Sequence, residues 1–117
     1  MPITNALASV AVKDLNAAIE WYQAVLQRAP SRPMPEVAEW SFERGGWLQV
    51  YLLPERAGTC SVTLSVTDLG TQVRHLEQLG IALGPRTSSS QVATLMITDP
   101  DGNHVAFAEP HDATLAQ

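Results

Sequence analysis

The pattern of apolar and polar positions in the first half of the chain predicts a strand followed by a helix. Residues 6–12 alternate in the manner of a half-buried β-strand. An amphipathic helix, capped by Asp14 and reaching about Gln27, is predicted next because apolar residues recur at intervals of three and four. These residues are Leu15, Ile19, Tyr22 and Leu26.

Three further strands are predicted after this helix. Pro30, Pro33 and Pro35 each lack a backbone donor, so a strand near residues 29–34 must be short or lie at a sheet edge. Strands at 37–43 and 47–53 flank Arg44-Gly45-Gly46, whose glycines permit a tight hairpin turn.

The second half of the chain repeats this plan. Residues 10–15 read Val-Ala-Val-Lys-Asp-Leu, residues 64–69 read Leu-Ser-Val-Thr-Asp-Leu, and the apolar helix positions match at the same shift. The predicted elements are a strand at 59–66, a helix from Asp68 to Leu79 that stops at Gly80, a polar loop at 87–90, and strands at 92–98 and 103–109 joined by the turn at 99–102.

The repeat predicts the fold class and the domain organisation. We expect an α+β protein of a single domain, residues 1–117, built from βαβββ modules at about 5–57 and 58–110, with a polar tail at 111–117. The two modules are expected to form a curved mixed sheet with a concave cleft and with both helices on the outer face.

Alternation along the strands sorts their side chains into two faces. Positions such as Val10, Leu52 and Asn103 are expected to pack under the helices, whereas Ala11 falls on the opposite face. That opposite face carries hydroxyls, aromatic rings, an amide and an imidazole, and such a lining suits an organic ligand. The candidate ligand-binding residues are Ser9, Trp47, Gln49, Tyr51, Ser61, Thr63, Ser65 and His104. The alternative is that this face is solvated or covered by a partner in a dimer.

Three single residues have both a chemical and a structural interpretation. His104 lies on the predicted cleft face, where it would serve as a general base or as a hydrogen-bond partner, or would simply be a surface histidine. His75 is expected on a solvated helix face. Cys60 is expected to be buried, and no second cysteine or suitably spaced His-Asp pair supports nucleophilic catalysis.

The composition argues against two classes of partner. Seven Lys and Arg against twelve Asp and Glu give a formal net charge of -5, whereas nucleic acids and anionic membranes require clustered cations. No apolar run approaches the roughly 20 residues that span a membrane. Since the single cysteine cannot form an internal disulfide and no secretory signal opens the chain, we expect a cytoplasmic protein that binds neither nucleic acid nor membrane.

The duplicated module, the Asp-Leu that opens each helix, the segment Glu20-Trp21-Tyr22 and the hairpin at 99–103 together resemble the vicinal oxygen chelate superfamily. This superfamily includes glyoxalase I, extradiol dioxygenases and bleomycin-resistance proteins. The resemblance covers residues 5–110 and implies a homodimer whose clefts are completed across the interface. It specifies the fold better than the activity, because this scaffold carries several functions.

Metal-dependent members of this superfamily hold a divalent ion with four His, Glu or Gln ligands, two from each module. Counting from the matched motifs, the resemblance places these ligand positions at Leu7, Gln49, Ser61 and Ala106. One amide and one hydroxyl bind transition metals weakly. We therefore predict that this chain has neither a metal site nor a cofactor.

The preferred hypothesis is a metal-free binding protein of the bleomycin-resistance type, which sequesters a hydrophobic or cationic aromatic compound in the cleft. The alternative is a glyoxalase-like lyase, isomerase or dioxygenase with an atypical site that includes His104 with Gln49 or Tyr51. A third possibility is an accessory domain without a ligand of its own.

Overall fold

The computed structural model describes residues 2–111 and contains the βαβββ order twice. The first module comprises β1 (Leu7–Val12), α1 (Leu15–Leu26), β2 (Ser31–Met34), β3 (Val37–Ser41) and β4 (Trp47–Leu52). The second comprises β5 (Ser61–Ser65), α2 (Leu69–Gln78), β6 (Arg86–Ser88), β7 (Val92–Thr98) and β8 (His104–Pro110), after a 3₁₀ turn at Pro54–Arg56. The predicted α+β fold of two repeated modules is confirmed. The predicted tail beyond His111 lies outside the described residues.

The strands form two four-stranded mixed sheets, ordered β1-β4-β3-β2 and β5-β8-β7-β6. In each sheet the first strand of the module runs parallel to the last, and the remaining pairs are antiparallel. The modules therefore do not share one continuous hydrogen-bonded sheet. They lie side by side, with β1 of one sheet next to β5 of the other.

Both helices begin where the sequence predicts, and both use an aspartate as the cap. The Asp14 carboxylate accepts from the backbone N–H of Ala17 at 3.1 Å. Asp68 accepts from the backbone N–H of Thr71 at 3.2 Å and from its hydroxyl at 2.9 Å. These bonds favour the ionised form, so the Thr71 hydroxyl and N–H hold the pKa of Asp68 below its usual value. The first helix is followed by Gln27 as its C-cap, which adopts the left-handed conformation with φ 62°.

One apolar core lies between the helices and the sheets. Its largest fully buried side chains include Trp40, Tyr22 and Phe107, and they pack with the apolar residues of both helices. The Trp40 ring nitrogen donates to the carbonyl of Arg28 at 2.9 Å, so its one polar atom is satisfied. No helix within residues 2–111 is long and apolar enough to cross a bilayer.

Three local expectations are wrong. Residues 87–90 are not all loop, because β6 pairs antiparallel with β7 and the Thr87 hydroxyl bonds that of Thr94. Leu52 does not pack under a helix, since at the last position of β4 it is 40% exposed. His75 is half-buried rather than solvated, because its Nε2–H donates to the carbonyl of Ala24 at 2.8 Å and links the two helices.

A buried polar network joins the two modules. The side chain of Asn103, which is fully buried, donates to the carbonyl of Ala11 at 2.9 Å and to Asp99 at 2.8 Å. Its carbonyl oxygen accepts from the backbone N–H groups of Gly58 and Cys60 at 2.9 and 3.0 Å. One side chain thus bonds to β1, to the segment between the modules and to the turn before β8.

Asp99 extends this network into the first helix. Its Oδ2 accepts from the Tyr22 hydroxyl at 2.8 Å, and its Oδ1 accepts from the backbone N–H groups of Asp101 and Asn103, both at 2.9 Å. Burial, together with the neighbouring Asp99 carboxylate, raises the pKa of Tyr22 well above its ordinary value. The phenol therefore stays protonated and continues to donate to Asp99.

Candidate functional site

The sheet surfaces that do not carry the helices form what we call the open face. In the first sheet this face has three rows of side chains, because residues directly opposite each other on neighbouring strands share a face. The rows are Leu7, Trp47 and Ser41; Ser9, Gln49 and Glu39; and Ala11, Tyr51 and Val37.

The three rows differ in accessibility. Leu7 and Trp47 are 46% and 39% exposed, so the first row presents an apolar patch. The third row is largely closed, since Ala11 and Val37 are buried and only Tyr51 is partly accessible. Ala11 does not belong to an open lining because β1 contacts the second module there, where its N–H points at the Cys60 sulfur at 3.4 Å. Cys60 is correspondingly half-buried rather than fully buried.

The middle row is a chain of hydrogen bonds. The hydroxyl of Ser9 donates to Oε1 of Gln49 at 3.2 Å, and Nε2 of Gln49 donates to Oε2 of Glu39 at 3.1 Å. The direction of the chain is fixed, because an ionised carboxylate accepts and cannot donate, so the amide must turn its nitrogen toward Glu39.

Glu39 is the functional candidate that the sequence analysis missed. It has the same strand parity as Ser41 and the opposite parity to Trp40, so alternation places it on the open face. The signal was available in the hairpin around Gly45 and Gly46, which pairs Glu39 with Gln49.

The open face of the second sheet also has three rows, and the predicted hydroxyls lie on them. The rows are Ser61, His104 and Thr98; Thr63, Ala106 and Met96; and Ser65, Ala108 and Thr94. Ser61, Thr63, Ser65 and His104 are exposed. None of these nine positions bears a fixed charge, and His104 is their one titratable side chain.

All eight predicted ligand-binding residues thus lie on the open face, four on each sheet. They are Ser9, Trp47, Gln49 and Tyr51 on the first sheet, and Ser61, Thr63, Ser65 and His104 on the second.

The residues at the inherited metal positions do not fit a divalent ion. Leu7 and Ala106 have no donor atom, and Ser61 offers one neutral hydroxyl. Gln49 already uses its amide oxygen to accept from Ser9. Within residues 2–111 no three His, Cys, Asp or Glu side chains are grouped as a metal site requires. No chemistry of this protein is therefore assigned to a metal at these positions.

A depression of about 520 Å³ lies on α1 and the segment that follows it. Glu20, Gln23 and Arg28 are among its lining residues, and all three side chains are exposed. We assign it no role, because it is a shallow depression open to solvent, whereas ligand sites are clefts or cavities that enclose most of the ligand.

The duplicated βαβββ modules and their paired sheets define the vicinal oxygen chelate superfamily. The sequence model of the glyoxalase-like domain matches residues 8–108, so the chain belongs to this family. No curated protein sequence gives a significant match to the chain.

Solved structures agree with this assignment. A glyoxalase/bleomycin resistance protein from Catenulispora acidiphila is 33% identical, with a TM-score of 0.82, 92% of this chain covered and 98% of the other. TnmS3, an antibiotic binding protein from Streptomyces sp. CB03234, is 21% identical, with a TM-score of 0.73 and coverages of 94% and 98%. A virulence protein from Salmonella typhimurium is 18% identical, with a TM-score of 0.72 and coverages of 93% and 97%. The last two similarities show the fold alone.

Proposed function

We propose that this protein binds a small aromatic compound on its open face and sequesters it without a metal and without chemical turnover. The observation that carries the proposal is the exposed Trp47 beside the polar row of Ser9 and Gln49. An aromatic ring stacks favourably on such a side chain, while hydroxyls and amides orient its polar groups.

The second sheet completes the proposed site. Ser61, Thr63, Ser65 and His104 would contribute hydrogen bonds, and Tyr51 would contribute a second ring. The fold is compatible with this role, since TnmS3 is an antibiotic binding protein with the same architecture.

The proposed assembly is a cytoplasmic homodimer. Leu7 is exposed at one end of the open face beside Trp47, and a second copy would cover Leu7 while leaving the ring of Trp47 free for the ligand. The free Cys60 is compatible with a reducing compartment. Sedimentation equilibrium would test the dimer, and a monomer at every concentration would contradict it.

Isothermal titration calorimetry with hydrophobic and cationic aromatic compounds would test the binding function. We expect saturable binding that is unchanged by a chelator and that Trp47→Leu weakens by about tenfold, because a lost aromatic contact costs about 1.4 kcal/mol. Trp21→Leu is the matched control, since Trp21 stacks edge-on against Tyr22 at 4.7 Å on the helix side.

Three results would contradict the proposal. The first is an absence of binding for every compound tested, and the second is an equal loss of affinity in the two tryptophan variants. The third is metal-dependent turnover of an α-keto hemithioacetal or a catechol that His104→Ala abolishes, which would establish the enzyme alternative.

A further inference from the structure

Glu39 is the one acidic side chain on the open-face rows, and those rows contain no Lys or Arg. Within residues 2–111, no Lys, Arg or His side chain forms a salt bridge with Glu39. Its side chain is neither fully exposed nor buried, so its charge acts on a ligand through a partly desolvated environment.

The hydrogen bonds of the middle row determine what kind of group it can bind. Glu39 directs the amide nitrogen of Gln49 toward itself, and the amide oxygen in turn takes the Ser9 proton. Apart from the second N–H of Gln49, the groups left for a ligand are acceptors: Oε1 of Glu39 and lone pairs on Gln49 and Ser9. A row of acceptors beside a negative charge favours a cationic donor. An ammonium group, which has three donors and no acceptor, satisfies this requirement.

The neighbouring rows add an aromatic component. Trp47 and Tyr51 flank Gln49 on β4, each about 7 Å from it along the strand at about 3.3 Å per residue. A cation held at the middle row therefore lies between two aromatic side chains, and the aromatic part of the same ligand reaches either ring. Both rings also attract a cation through their faces.

From this arrangement we infer that the ligand is an aromatic amine in its protonated form, and that Glu39 is the residue that selects it over neutral and anionic aromatic compounds. This inference rests on the proposed function, and it narrows the ligand class from aromatic compounds in general to aromatic cations that carry N–H donors.

Three probes with one ring system test it: 1-naphthylmethylamine, 1-naphthalenemethanol and 1-naphthoate. Calorimetry on the wild-type protein should give the tightest binding for the amine and the weakest for the carboxylate. Added salt should lower the affinity for the amine more than the affinity for the alcohol. Glu39→Gln should lower the affinity for the amine by about tenfold and leave the affinity for the alcohol unchanged. This factor is at the lower end of the range for a hydrogen bond to a charged group, because Glu39 is partly exposed.

Glu36→Gln is the matched control, because it removes the same charge from an exposed position in the turn between β2 and β3. It should leave all three affinities unchanged. Equal binding of amine and alcohol to the wild type, or equal losses of amine affinity in the two variants, would overturn the role of Glu39 while leaving aromatic sequestration standing. Failure of all three probes to bind would overturn both.

Discussion

Replacing Asn103 by alanine should destabilise the protein more than any substitution on its open face. The side chain is fully buried and makes four hydrogen bonds to four different residues. Alanine removes all four bonds and leaves the partner groups in place. Three of these partners, Ala11, Gly58 and Cys60, belong to the first module or the segment after it, so the change also weakens the contact between modules.

The magnitude follows from the partners that remain. The carbonyl of Ala11 lies in a buried residue and loses its Asn103 donor, and an unsatisfied buried group costs about 1–3 kcal/mol. Asp99 keeps its bond from Tyr22. Gly58 and Cys60 are partly accessible, so water can replace part of what their N–H groups lose. The sum is about 3–5 kcal/mol, a large share of the 5–15 kcal/mol typical of a folded protein.

Urea denaturation followed by far-UV circular dichroism measures this change. With a denaturant slope of about 2 kcal/mol/M, the midpoint should fall by about 1.5–2.5 M. Asn16→Ala is the matched control, since Asn16 is exposed in α1 and alanine favours a helix. Its midpoint should be unchanged or slightly higher. A loss below about 1 kcal/mol for Asn103→Ala would refute the reasoning, because such a value is that of a single exposed hydrogen bond.

Two further predictions concern the same network. The free energy of unfolding should fall as pH rises above about 10, by up to about 1.4 kcal/mol per pH unit, because the raised pKa of Tyr22 lets the unfolded phenol lose a proton that the folded one keeps. Urea denaturation at several pH values between about 9 and about 11 measures this pH dependence. Tyr22→Phe should remove the Tyr22 contribution, and the same pH dependence in the variant and the wild type would contradict the prediction. Gly58→Ala should cost at least about 2 kcal/mol in urea denaturation, since Gly58 has φ +89° and a Cβ there would lie 2.6 Å from the carbonyl oxygen of Asp101. Gly46→Ala should cost far less in the same assay, because a Cβ there meets nothing within 4 Å, and equal losses for the two variants would contradict the prediction.

The elements that the sequence predicts correctly are those whose signals are local. Asp14 and Asp68 cap their helices through their own side chains, so each helix start can be read from a few residues. Strand parity is equally local, and it correctly separates buried Val50 from accessible Gln49 and Tyr51 on β4.

The features that sequence reasoning missed depend on contacts between distant segments. Ala11 is closed off because β1 meets the second module, and nothing in its own strand indicates that contact. Glu39 becomes a site candidate only through its pairing with Gln49 across the hairpin. Asn103 reads as one more strand residue, although its partners lie up to 92 positions away. β6 forms from polar residues because β7 supplies its backbone partners.

The network around Asn103 also fixes which side chains reach the open face. Strand periodicity is two, so a shift of one residue in β8 would move the buried positions to the surface and the surface positions to the core. Asn103 immediately precedes β8, and its bonds to Gly58 and Cys60 set this strand against β5, with Ser61 opposite His104. A one-residue slip of β8 that moved Ala106 off the open face would have to break these bonds and turn His104 toward the core. The bonds of Asn103 therefore hold the register that keeps Ser61, Thr63 and His104 on the open face of the second sheet, and this register leaves no strong metal ligand at Ser61 or Ala106.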